Sequence, residues 1–191
     1  MKIAIINQHI SQALGGSEMQ CDIIAKELTM WGHDVTYITP NPCPFNSKGF
    51  PYSVIYMKPE PADTFAQIKP DIIYWRYNKK KLLKTIRAAK GFGIPFVFAI
   101  SSKQDPQLFG WRFNKKKTVI KTVLNIAEQI VSSVWNYFGF LQVDAVTSLN
   151  SRYIKYVPVK NKRVVYNTVY KEQGDIVSPQ KPYVLWVANL K

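Results

Sequence analysis

Residues 1–39 read MKIAIINQHISQALGGSEMQCDIIAKELTMWGHDVTYIT, and the order of patterns within them decides the fold. Ile3-Ala4-Ile5-Ile6 is a short run rich in β-branched residues, the signature of a strand buried on both faces of a parallel sheet. A polar loop from Asn7 to Gly16 follows it. Ser17 stands three residues before Gln20, a capping-box pattern that predicts a helix starting at Ser17. Met19, Ile23, Ile24, Leu28 and Trp31 recur at helical spacing, and Gly32 suits the left-handed position that closes helices. Val35 to Thr39 is then a second strand.

The same alternation continues outward. Strands are predicted at Val54 to Met57, Asp71 to Trp75, Pro95 to Ile100, Asp144 to Ser148 and Val164 to Tyr166. Helices are predicted at Ala62 to Ile68, at Lys79 to Phe92 with Leu82, Leu83, Ile86 and Ala89 inward, at Lys115 to about Phe138, and from Ser151. Strand–helix–strand repetition predicts an α/β fold: a Rossmann-like, doubly wound parallel sheet in three α/β/α layers. Lys171 to Pro182 is polar and holds Gly174, Pro179 and Pro182, so it reads as a linker. Tyr183 to Val187 is strand-like with no helix behind it, which predicts the start of a second domain. The expected division is 1–170, a linker at 171–182, and the opening of a truncated domain at 183–191.

Composition narrows the function. The chain of 191 residues is 47% hydrophobic and 20% charged, ordinary for a globular domain. The apolar start is too short for a secretory segment, and no window reaches the roughly 18 apolar residues of a spanning helix. A cytoplasmic location is therefore expected. Cys21 and Cys43 form no CxxC pair and no Cys/His cluster, so no metal site is expected. Thirteen bases lie between Arg76 and Lys121 against one acid, Asp105, which places +12 of the net charge of +14 in a quarter of the chain. Lys79, Lys80, Lys81, Trp111, Arg112, Lys115, Lys116 and Lys117 form a candidate patch for an anionic membrane or a polyanion, or a solvated face.

In open α/β sheets, ligands bind beyond the carboxyl ends of the strands. There, Gly15-Gly16 before the helix start allow close approach of a ligand, and the helix dipole favours an anion; a plain turn is the alternative. His9, Arg76 and Asn150 follow strands on that edge. Arg76 is placed to pair with a phosphate or to join the basic surface. A dinucleotide site is excluded by the lack of GxGxxG and by Thr39-Pro40-Asn41, which puts no acid at the end of the second strand. Neither a phosphate-binding GxxxxGK[ST] loop nor a GxSxG elbow is present.

Six segments, in order, resemble glycosyltransferase family 4 (group 1). They are GGSE at 15–18, WGHDVTYIT at 31–39, PDIIY at 70–74, DAVTS at 144–148, VVYNTV at 164–169 and PYVLWV at 182–187. The resemblance implies the N-terminal half of a GT-B fold: an acceptor-side domain that faces a donor-binding domain carrying an acidic E-x7-E motif. The implied activity is retaining transfer from a nucleotide sugar to a glycan or lipid-linked acceptor, as in polysaccharide biosynthesis. The nucleotide sugar is a co-substrate, and no cofactor is implied. The family often places a histidine after the fifth strand; Ser101-Ser102-Lys103-Gln104-Asp105 stands here, so Ser101, Ser102 and Asp105 become candidate sugar contacts. No catalytic residue is assigned in this half, and the isolated half is expected to be inactive. The competing reading is a non-catalytic basic module that docks on anionic membrane or nucleic acid.

Overall fold

A computed structural model describes residues 1–10, 16–41, 49–77, 81–100, 130–131, 134–135, 137–155 and 157–165. The elements are β1 (Lys2–Ile6), α1 (Gly16–Met30), β2 (Asp34–Thr39), β3 (Ser53–Tyr56), α2 (Pro61–Ile68), β4 (Ile72–Trp75), α3 (Leu82–Gly91), β5 (Phe96–Ile100), β6 (Ala145–Ser148), α4 (Ser151–Ile154) and β7 (Asn161–Val164). The seven strands form one sheet in the order β3-β2-β1-β4-β5-β6-β7, and every pairing is parallel. This is the expected doubly wound arrangement.

β1 sits between β2 and β4, which explains its uninterrupted apolar sequence. Successive side chains of a strand point to opposite faces. Ile3 and Ile5 accordingly join Cys21, Ala25, Val35 and Tyr37 beneath α1. Ala4 and Ile6 join the larger core with Phe65 of α2, Leu82, Leu83, Ile86 and Ala89 of α3, and Ile154 of α4. The four α3 positions expected inward are all buried. Residues 137–140 are helical and close on α3, where a Cβ added to Gly139 would stand 3.2 Å from Leu82. Phe140 packs on Phe98 with ring centroids 4.8 Å apart.

Helix α1 ends as expected. Gly32 has φ +83°, its N–H donates to the Thr29 carbonyl (2.9 Å), and the His33 N–H donates to the Leu28 carbonyl (3.0 Å). Those two bonds make a Schellman motif and satisfy carbonyls the helix leaves unpaired.

Three expectations need correction. Helix α1 begins at Gly16, so Ser17 already lies inside it; its hydroxyl donates to the Glu18 carboxylate (2.8 Å) and forms no capping box with Gln20. Met19 and Trp31, expected on the apolar stripe, are 54% and 71% exposed, while Glu18, Gln20 and Asp22 are buried. Their burial is tolerated because Asp22 accepts from Tyr52 and Lys26, and Glu18 from Ser17. Finally, β7 runs from Asn161 to Val164 and not from Val164 onward. It pairs with β6 from Ala145↔Asn161 to Ser148↔Val164, at the sheet edge, where charged side chains such as Lys162 and Arg163 are normal. Residues 166–191, which include the expected linker and Tyr183 to Val187, lie outside the described residues, as does the helix predicted over 115–129.

Candidate functional site

Parallel strands deliver all their carboxyl ends to one edge, and backbone bonds carry the ladder a residue further there. The N–H of Asn7 donates to Ile38 O (3.1 Å), Arg76 to Ile6 O (2.8 Å) and Val165 to Ser148 O (2.8 Å). Arg76 and Val165 therefore enter the edge on fixed backbone.

A small cleft, partly open to solvent, lies at this edge. Gln20 and Ile24, one turn apart on α1, form its wall. Tyr74 and Arg76 come from the end of β4, and Ala99 and Ile100 from β5. Thr147, Ser148 and Leu149 come from β6, with Val165 after β7. The cleft thus mixes aliphatic side chains with an amide, hydroxyls and one guanidinium.

Electrostatics here are set by burial. The Nε of Arg76 is buried and has no hydrogen-bond partner. Burial pushes the Tyr74 phenol above its ordinary range; hydrogen bonding with Thr147, and the charge and a hydrogen bond of Arg76, pull the other way without prevailing. Cys21, on the buried face of α1, is pushed up to about 12 by burial, with Arg76 opposing and Glu18 and Asp22 adding to the rise. Burial also raises Tyr37 and Tyr52, the latter further through its bond to Asp22. These phenols and the thiol stay neutral near pH 7 and act as donors or packing groups, not as nucleophiles.

Of the residues singled out from sequence, Arg76 lines the cleft. Gly16 is the first residue of α1, and a Cβ there would meet no described atom within 4 Å. His9 is half-buried; its carbonyl accepts from the Tyr37 hydroxyl (2.7 Å), and its ring lies 3.4 Å from Asn41 Nδ2. That loop is held to the end of β2 by Thr39 Oγ1 donating to Gln8 O (2.8 Å). Asn150 caps α4, its Oδ1 accepting from the Arg152 N–H (2.9 Å), which commits that oxygen to structure. Lys81 is exposed just before α3. Gly15, Ser101, Ser102, Asp105, Lys79, Lys80, Trp111, Arg112 and Lys115 to Lys117 lie outside the described residues.

Sequence reasoning missed Gln20, Tyr74 and Thr147. Tyr74 and Thr147 each sit one residue before the end of their strand, positions read as core. Gln20 stood in the apparent capping box, and only its spacing of four from Ile24 marks a shared face. Among the described residues no cluster of metal-ligating side chains occurs, and no helix is long and apolar enough to cross a membrane.

No protein-family model matches the chain, and no curated protein matches it. Three solved structures are similar in shape. One is a candidate epimerase from Bacteroides thetaiotaomicron (19% identity, TM-score 0.44, covering 77% of this chain and 69% of that one). The second is an alpha-glucosyltransferase in complex with UDP and a 13-mer DNA (11%, TM-score 0.44, 85% and 40%). The third is a ugt transferase from Siraitia grosvenorii in complex with UDP (11%, TM-score 0.45, 78% and 44%). The chain spans less than half the length of either transferase. The α/β architecture rests on the strand pairing of this chain itself.

Proposed function

We propose that the chain is the acceptor-side domain of a retaining, nucleotide-sugar-dependent glycosyltransferase that works opposite a second, donor-binding α/β domain. The observation that carries this reading is the agreement between motif order and place. Gly16-Ser17-Glu18 opens α1, and the segments resembling family 4 at 70–74 and 144–148 fall on β4 and β6. Those two strands end at the cleft, and Gln20 and Ile24 of α1 line it. Transfer with retention needs chiefly positioning and stabilisation of the leaving diphosphate. Helix α1 presents its positive end and an uncrowded Gly16 toward that edge, the arrangement a diphosphate requires. Ser101, Ser102 and Asp105 are proposed sugar contacts, and His9 a proposed substrate contact.

The test is release of nucleoside diphosphate from a panel of uridine, guanosine and adenosine diphosphate sugars. The full-length gene product is supplied with glycan or lipid-linked acceptors. Acceptor-dependent release with one donor supports the reading; binding of a nicotinamide dinucleotide with no release from any donor removes it.

A membrane-facing role is proposed for the basic surface, on a specific observation. Ile130, Val131, Val134, Trp135, Phe138 and Leu141 are all exposed. Arg87 stands over the Trp135 ring at 6.0 Å. Exposed aromatics beside lysines and arginines suit an anionic bilayer surface at the inner face of the membrane. Flotation with vesicles containing phosphatidylserine should be salt-sensitive and weakened by Trp135→Ala; lack of flotation at low salt removes this role alone.

A further inference from the structure

The cleft holds one charge, the Arg76 guanidinium, that meets the neutral Tyr74 hydroxyl and forms no ion pair among the described residues. Lys26–Asp22, Lys84–Glu60 and Lys90–Asp144 are the three ion pairs among the described residues, and none includes Arg76. The two acids of α1 that share its electrostatic surroundings are engaged elsewhere, Asp22 by Tyr52 and Lys26 and Glu18 by the Ser17 hydroxyl. The Arg76 backbone is pinned to Ile6, so the side chain emerges from a fixed origin. Its Nε is shielded from solvent with no acceptor. A guanidinium held this way suits a planar or tetrahedral anion, which it can grip with two parallel N–H donors. Around it stand Gln20 and Thr147, groups that hydrogen-bond neutral hydroxyls, with Ile24 and Val165 as apolar walls. The cleft is partly open to solvent, so an anionic group can enter at Arg76 while the body that carries it stays at the mouth.

We infer that this cleft recognises an acidic sugar, a phosphorylated sugar or a uronic acid, with Arg76 binding the acidic group and Gln20 and Thr147 facing the ring. That this sugar is the acceptor rests on the glycosyltransferase reading; the anion site itself does not. The shared chemistry, an anion on a sugar-sized body, has a second source in the donor diphosphate, and the experiment separates the two.

The full chain, labelled with ¹⁵N, is titrated with glucose 6-phosphate, glucuronate, glucose and UDP, and the arginine Nε–Hε cross-peaks are followed. The expected result is that one cross-peak, lost in Arg76→Lys, shifts with glucose 6-phosphate or glucuronate and not with glucose. Arg76→Gln should weaken binding of the acidic sugar at least tenfold; UDP should not displace it. Arg76→Lys, which keeps the charge and lacks the fork, should retain part of the affinity. Thermal melts of both variants establish that they are folded. Glucose binding as tightly as the acidic sugars overturns the inference. So do acidic sugars that leave the Arg76 cross-peak unmoved, and displacement by UDP, which assigns the anion to the donor. Acidic sugars bound through Arg76, with no donor ever cleaved, would leave this site standing and remove the transferase reading. Transfer to neutral and acidic acceptors with equal efficiency by wild type and Arg76→Gln would do the reverse.

Discussion

Replacing Tyr52 by Phe tests how α1 is held over the sheet. Tyr52 is 7% exposed and its ring stacks against Tyr37 and Phe50, with centroids 5.8 and 5.3 Å away. Phe keeps those contacts and removes only the hydroxyl, which donates to Asp22 Oδ1 at 2.5 Å. Hydrogen bonds to a charged group contribute about 1.5–3 kcal/mol. Stranding a buried charge altogether costs about 3–5 kcal/mol. Asp22 is not stranded, because Lys26 Nζ still meets its Oδ2 at 2.8 Å, and the Lys26 side chain is 36% exposed and free to adjust. The lower range therefore applies, and Tyr52→Phe should cost about 2 kcal/mol, which for a domain of this size lowers the melting temperature by roughly 4–8 °C. Urea unfolding followed by circular dichroism measures it, and a cycle with Asp22→Ala should return a coupling of about 1–2 kcal/mol. A loss under about 0.5 kcal/mol, or no coupling, would refute the claim that this pair anchors the buried polar face of α1. Gln20 and Ile24 lie on the same helix, so the variant should also loosen the wall of the cleft.

Other outcomes follow from single features. Gly32→Ala, at φ +83° with open space around its Cβ, should cost about 1–2 kcal/mol through backbone strain alone, read by the same unfolding assay. Leu82→Ala, fully buried where α3 meets β4, β5 and residues 137–140, should cost about 2–5 kcal/mol and is checked by thermal melting. The Cys21 thiol, raised from 9.0 to about 12, should resist iodoacetamide at pH 8 in the folded protein and react once urea unfolds it, as peptide mass spectrometry would show. The sign of its pH effect is set by the same shift. Below pH 9.0 both states hold the proton, so its contribution is intact; from there to about pH 12 the unfolded thiol ionises first and stability falls, by about 1.4 kcal/mol per unit at most. A folded-state labelling rate equal to the unfolded rate would contradict the burial.

Much of the fold was legible from local pattern alone. The runs that became β1, β2, β4, β5 and β6 are mostly buried or half-buried, and the periodic positions of α3 fell inward, because buried strands and amphipathic helices carry their periods in the chain itself. The Gly32 stop was equally legible, since only a residue without a Cβ takes that backbone conformation at no cost. The place of Arg76 just past β4 was legible because strand ends can be located from the same runs.

Tertiary structure alone decided the rest. β7 is written in Asn, Lys and Arg, and it became a strand because β6 offered an unpaired edge. The inward face of α1 is polar at Glu18, Gln20 and Asp22, a choice that depends on Tyr52, some thirty residues away, supplying a donor. The cleft likewise gathers Gln20, Tyr74, Arg76 and Thr147 from three elements separated widely along the chain. Periodicity reports what one segment will bury, but which partner satisfies a buried polar group is a property of the packed whole.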